Sequence, residues 1–157
     1  MILGVPTETY PGERRVAIVP GVLASLGKAG LTVLLEPGAG LGAGHSDAEY
    51  EAKGAKIAKN RDEVFASADI IAQVRGLGAN PEAGEADLAR FRKGQTLLAM
   101  MDPLARPEQV KALAGRKISV FAMEMIPRIT RAQSMDVLSS MATVAGYQAV
   151  LIAATTL

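Results

Sequence analysis

Six short apolar runs recur along the chain with helix-like segments between them, and this alternation constrains the fold more than any other feature. The β-leaning runs are Met1 to Val5, Leu31 to Leu35, Lys56 to Ala58, Ile70 to Val74, Thr96 to Met100 and Ile118 to Ala122. Between the first two, Gly21 to Ala29 places Val22, Leu23 and Leu26 on one helical face and stops at Gly30. Ser46 with Glu49, and Asn60 with Glu63, have the spacing of a capping box, in which each partner satisfies an amide at the helix start. Pro107 suits the first turn of a helix that carries Val110 and Leu113 and stops at Gly115. Strands alternating with helices at this spacing predict an α/β fold, a mainly parallel open sheet with helices on both faces, of the flavodoxin or Rossmann-like kind. The glycine-rich GLGANPEAG, Gly76 to Gly84, reads as a loop.

From Asp136 the pattern changes. VLSSMATVAGYQAVLIAATTL has no proline, one interior glycine and apolar residues nearly all round, which predicts a buried helix. The sequence divides accordingly into an α/β part, 1–135, and a long apolar helix, 136–157. The last residues, Ala153 to Leu157, bring no capping residue and no polar tail, so the expectation is a chain that stops inside a larger architecture.

Composition narrows the chemistry. The 157 residues suffice for one well-buried domain, and with aromatics at 4% the core must be built from Ala, Val, Leu, Ile and Met. Seventeen Lys and Arg against sixteen Asp and Glu leave a net charge of +1, too little for a nucleic-acid footprint. The absence of Cys excludes disulfides, thiolate catalysis and Cys-based metal sites, and a single His makes no zinc site, so no metal is expected. No apolar run reaches the roughly 18 residues of a spanning helix, and MILGVPTETYPGERR lacks the basic-then-apolar order of a signal peptide. The expectation is a soluble intracellular chain.

EPGAGLGAG, Glu36 to Gly44, contains the letters of a dinucleotide fingerprint, G-x-G-x-x-A. A phosphate cradle also needs the first glycine directly after the strand, a helix starting within the motif, and an acidic residue ending the next strand about 20 residues on. Pro37 separates strand from glycine, the best helix start is Ser46, and AKIAKN ends in Lys59 and Asn60. The segment reads as a structural turn using glycine at positive φ, with His45 beside it a loop or capping residue.

Polar groups concentrate in two other places. PTETYPGERRVAIVP sets Glu8, Glu13, Arg14 and Arg15 after the first strand, at the carboxyl edge where open α/β sheets place ligands; solvated loop charges are the plain alternative. IPRITRAQSMDVLSS, Ile126 to Ser140, packs Arg128, Thr130, Arg131, Gln133, Ser134, Asp136, Ser139 and Ser140 before the apolar helix. Asp136 or Ser134 could simply cap that helix. In the functional reading Arg128 and Asp136 pair and fix the loop, while Gln133, donor and acceptor in one side chain, addresses an amide-bearing ligand.

GVPTETYPGERRVAIVP, EPGAGLGAGHSDAEYEAKGA and PRITRAQSMDVLSSMATVAGYQAV together resemble the N-terminal part of the alanine dehydrogenase and nicotinamide nucleotide transhydrogenase superfamily, across essentially the whole chain. The third segment, R-x-x-R-A-Q-S-M-D-x-L-S-S followed by A-G-Y, resembles the alpha subunit of proton-translocating transhydrogenase. The resemblance implies the first subdomain of a two-subdomain NAD(H)-binding domain, its glycine fingerprint in a second subdomain reached through the long helix. It implies that Arg128, Ile129, Thr130, Gln133, Ser134, Met135, Asp136 and Ser139 form the loop meeting the nicotinamide end of NAD(H). Gln133 would orient the ring toward NADP(H) on a partner domain, and Arg128, Asp136 and Ser139 would hold the loop and the nicotinamide amide or its ribose. It further implies a homodimer, partners that include an NADP(H)-binding domain and a membrane domain, and a cytoplasmic location peripheral to the inner or plasma membrane, without direct insertion. Alone, the chain would be inactive.

The rival enzyme reading is an alanine dehydrogenase-like amino-acid oxidoreductase. That branch uses a Lys in a V-K-E-P context and a His near position 100; here V-R-G-L offers Arg75 and AMMDPLA offers Asp102, although Arg15 is retained. A non-enzymatic interaction module is the remaining alternative.

Overall fold

A computed structural model describes residues 1–156. The chain divides into two compact units, Met1–Ala122 and Met123–Leu157. The loop at 123–135 thus groups with the long helix, not with the sheet.

In the first unit the strands are β1 (Ile2–Val5), β2 (Thr32–Leu35), β3 (Lys56–Ile57), β4 (Ile70–Arg75), β5 (Thr96–Met100) and β6 (Ser119–Ala122). They form one sheet in the order β3-β2-β1-β4-β5-β6. Every neighbouring pair is parallel, so the expected mainly parallel sheet is wholly parallel among the described strands. This is the strand order of a doubly wound dinucleotide-type sheet, whose direction of winding reverses between β1 and β4.

The helices are α1 (Leu23–Lys28), α2 (Asp47–Ala52), α3 (Arg61–Ser67), α4 (Glu85–Leu88) and α5 (Pro107–Gly115). Successive strand residues face opposite sides of a sheet, and the core follows that period of two. On one side Leu3, Val5, Val33, Leu35 and Ala72 pack with Leu23 of α1 and Tyr50 of α2. On the other, Leu34, Ile71, Leu97 and Ala99 pack with Val64 and Phe65 of α3 and Leu113 of α5. Helices therefore cover both faces, as the alternation of patterns predicts.

The Ser46 capping box closes as expected: the Glu49 amide donates to Ser46 Oγ at 3.3 Å and the Ser46 amide donates to Glu49 Oε2 at 2.7 Å. At α3 only half of the device forms. Asn60 Oδ1 accepts the Glu63 amide at 2.9 Å, but the Glu63 carboxylate takes the Lys59 amide at 2.6 Å instead of that of Asn60. GLGANPEAG is a loop, as expected, and a largely buried one. It holds a 3₁₀ turn, Leu77–Ala79, and leads into α4, which the sequence does not announce. A Cβ at Gly78 would lie 1.7 Å from the carbonyl oxygen of Met101, so glycine is required there by close backbone approach.

The second unit consists of a 3₁₀ turn at Met123–Met125, another at Thr130–Met135, and the helix α6 (Val137–Thr156). Two expectations fail here. None of the residues of α6 is buried. The helix also has 20 residues and a hydropathy of 1.6, enough by length and composition to cross a membrane. The hydroxyls that interrupt the apolar run bond back within the helix: Ser140 to Asp136 O, Thr143 to Ser139 O, Thr156 to Ile152 O. Their polarity is satisfied locally, so they interrupt the letters but not the apolar character.

Candidate functional site

The glycine segment after β2 is closed to an anion by the chain itself. The Gly38 amide donates to both carboxylate oxygens of Asp47, at 3.0 Å each, while Ser46 and Glu49 occupy the start of α2. Gly38 and Gly44 have φ of +76° and +85°, the conformations a turn demands of glycine. His45 sits edge-on to Tyr50, with Nδ1 3.9 Å from Glu49. Among the described residues no group of acidic, His or Cys side chains could hold a metal.

Of the charges after β1, Glu8 and Glu13 are partly buried and fasten the carboxyl edge of the sheet, while Arg14 and Arg15 are exposed. Glu8 accepts the amides of Val74 (2.6 Å) and Arg75 (3.1 Å), where the β4–β5 register shifts. Burial raises the Glu8 carboxyl above its ordinary pKa, and the two amides offset only part of that. Glu13, its side chain 5% exposed, accepts from Arg15 Nε at 2.7 Å and Nη2 at 2.6 Å and from Arg75 Nε at 2.9 Å. Those contacts, the Arg15 hydrogen bond foremost, hold its pKa at about 2. The Arg75 guanidinium lies 4.1 Å from the centre of the Tyr10 ring, and Arg14 Nε donates to Gly42 O at 3.3 Å. Nearby, Arg61 bridges Asp87, Glu36 and the Thr7 carbonyl. The Arg61 network has no local signature, because its partners lie 25 to 54 residues from Arg61.

The loop preceding α6 has a different character. Residues Thr130–Met135 form six residues of 3₁₀ helix, longer than the usual three or four. The Asp136 amide donates to Gln133 O at 3.3 Å as the turn ends. Asp136 then caps α6: its Oδ1 accepts the amides of Leu138 and Ser139, both at 3.0 Å, and its Oδ2 accepts the Ser139 hydroxyl at 2.6 Å. These bonds, led by that of the Ser139 hydroxyl, hold the Asp136 carboxyl below its usual range, with Arg128 the smallest contribution. Arg128 Nε is 4.0 Å from Asp136 Oδ2 and mostly exposed. The capping and pairing readings of Asp136 are therefore compatible.

Of the eight residues expected to meet a nicotinamide, the structure brings Arg128, Asp136 and Ser139 together. Ile129 and Met135 are exposed apolar side chains, at 56% and 53%. Thr130, Gln133 and Ser134 are exposed, and their side chains make no hydrogen bond among the described residues. Gln133 in particular offers both an amide donor and a carbonyl acceptor, the complement of a carboxamide. An exposed amide close in sequence to Asp136 and Ser139, whose polar groups bond to each other, is chemically able to meet a carboxamide.

Residues 4–145 match the family model described as alanine dehydrogenase/PNT, N-terminal domain. The chain is 43% identical over 151 residues to NAD(P) transhydrogenase subunit alpha of Cereibacter sphaeroides, covering 96% of this chain and 28% of that protein. It is 36% identical over 154 residues to the alanine dehydrogenase of Methanococcus maripaludis, covering 98% of this chain and 39% of that one. The crystal structure of the transhydrogenase from Sinorhizobium meliloti superposes with a TM-score of 0.90 at 41% identity, covering 99% of this chain and 44% of that chain. The chain thus spans less than half the length of each of these relatives. With a wholly parallel doubly wound sheet and a family match across most of its length, the chain belongs to the alanine dehydrogenase/PNT N-terminal domain family.

Proposed function

We propose that this chain is the first subdomain of the NAD(H)-binding component of a transhydrogenase, which passes hydride between NAD(H) and NADP(H) while membrane partners couple the reaction to proton movement. The observation that carries this reading is Gln133: an exposed amide with no hydrogen bond among the described residues, in a turn whose far end Asp136 fixes. The higher identity to a transhydrogenase subunit than to an alanine dehydrogenase supports it.

NAD(H), when bound, supplies the hydride itself and requires no acid or base from the protein. The work of the chain is then positional. Gln133 orients the carboxamide through one donor and one acceptor, Arg128 and Ser139 contact the amide or its ribose, and Asp136 keeps the loop in register with α6. Ile129, Thr130, Ser134 and Met135 complete the surface that excludes water. The 3₁₀ turn Thr130–Met135, closed by the Asp136 amide on Gln133 O, sets the backbone position from which Gln133 projects. In this reading the complete protein is a homodimer peripheral to the membrane, and its NADP(H) is held by a partner domain.

In the full assembly, Gln133→Asn is expected to slow single-turnover hydride transfer by about 100-fold while changing NADH affinity less than about twofold, because orientation matters most in the transition state. An unchanged transfer rate refutes the role. Turnover of alanine with NAD, in place of transfer from NADH to an NADP analogue, would move the protein to the other branch of the family.

A further inference from the structure

We propose that Arg131, with Ser134 beside it, is the anion contact through which the loop receives a phosphate of the dinucleotide presented by the partner domain. The proposal rests on the transhydrogenase reading and assigns a residue to which that reading gives no role.

At three residues per turn, side chains at i and i+3 eclipse, so Thr130–Met135 carries three rows about 120° apart. One row holds Ala132, which is buried, with Met135, which is 53% exposed. The second is Thr130 with Gln133, and the third is Arg131 with Ser134; all four of these residues are exposed. Arg131 therefore belongs to a polar row adjacent to that of Gln133 and distinct from it.

The charge distribution singles out the same residue. Between Met123 and Thr156 the ionisable acids and bases of fixed charge are Glu124, Arg128, Arg131 and Asp136, and α6 contributes none. Arg128 stands beside Asp136, whereas Arg131 has neither an ion pair nor a side-chain hydrogen bond among the described residues. An exposed guanidinium next to an exposed hydroxyl is chemically suited to phosphate oxygens, which it can meet with two parallel N–H donors. Direct hydride transfer requires a second nicotinamide to come into contact with the first, and each dinucleotide brings its pyrophosphate within a nucleoside's length of the reacting ring. A cation one row away from Gln133 is placed to meet that charge as the partner arrives.

The test uses the full-length subunit, titrated calorimetrically with its partner domain loaded with NADP(H) or empty, at about 20 mM and 200 mM salt. Arg131→Ala is expected to weaken binding of the loaded partner about fivefold at low salt, the size of one exposed charge contact. The loss should shrink at high salt as the charges are screened. Arg131→Lys should recover part of it, and the NADH dissociation constant and the saturated single-turnover rate should not change. Unchanged partner affinity in Arg131→Ala overturns the proposal, as does an equal loss with the empty partner, which would assign Arg131 to protein carboxylates. Weakened NADH binding with normal partner affinity also overturns it, by placing Arg131 on the chain's own cofactor. If wild-type protein transfers no hydride from NADH to an NADP analogue, the transhydrogenase reading itself fails. Normal wild-type transfer with an unaffected Arg131→Ala removes only the Arg131 assignment. Circular dichroism of each variant establishes that α6 is intact.

Discussion

Glu13 receives two guanidiniums that arrive from different parts of the chain, Arg15 two residues on and Arg75 sixty-two residues on. Its folded pKa of about 2 lies below the ordinary 4.5, so its contribution to stability is complete above about pH 4.5 and is lost as pH falls toward 2. Glu8 has the opposite sign. Its folded pKa is raised, so the contribution of its proton to stability is present at and below pH 4.5 and is lost as pH rises through the folded value. Glu13→Gln should therefore flatten the acid limb of a stability-versus-pH curve between about pH 4.5 and 2. It should also cost about 1–2 kcal/mol at pH 7, a figure reduced for the solvent around Arg15 and Arg75. Urea midpoints measured across that range check both, and a variant with an undiminished acid limb would contradict the assignment. The sequence shows that these residues cluster, and the pair Glu13–Arg15 is local enough to anticipate. The arrival of Arg75, and the use of Glu8 as a surrogate strand partner for β4, depend on how β1 and β4 lie side by side.

At the scale of elements, the six strands fall within a residue of the apolar runs that predict them; β1 and β2, buried on both faces, carry an unbroken apolar signature, whereas the edge strands β3 and β6 are less buried. α4 leaves none. Its four residues, Glu85–Leu88, are held by a buried Asp87 that binds Arg61 at the start of α3. A short helix fixed by a distant cation has neither the length for periodicity nor a cap to mark it. Arg61→Ala should leave the buried Asp87 with only Arg90 at 3.6 Å and the Gln73 amide at 3.3 Å, costing about 3 kcal/mol in chemical denaturation. Replacing Arg61 and Asp87 together by apolar residues should cost less than the single change; equal costs would mean that the ion pair is not what fixes α4. The loop before α6 was more legible. R-x-x-R-A-Q-S-M-D marks the polar cluster, and Asp136 is recognisable as a cap, but the division of the turn into three rows follows only from its 3₁₀ geometry.

For the molecule as a whole, the expectation concerns what residues 1–157 do by themselves. The one glycine segment with the letters of a phosphate cradle has its Gly38 amide bound to Asp47 and its helix start capped by Ser46. In the proposed reading, the loop at Thr130–Met135 meets one end of a dinucleotide only. Titration of NADH into residues 1–157 should therefore give little or no heat of binding, and a micromolar dissociation constant would show that these residues contain a complete cofactor site.

What the sequence by itself determined is local in origin: where strands and helices fall, which turn holds the polar cluster, and why EPGAGLGAG is a turn. Each follows from a period, a cap or a breaker acting over a few residues. Only the tertiary structure decided the strand order, the wholly parallel sheet, the carboxylates that fasten its carboxyl edge, and the exposure of α6 and Gln133. The physical reason is that burial and ion pairing depend on which distant segments become neighbours. Strands with the same apolar signature can be ordered in many ways, and Arg61 carries no local mark of the Asp87 it will meet across 26 residues of chain.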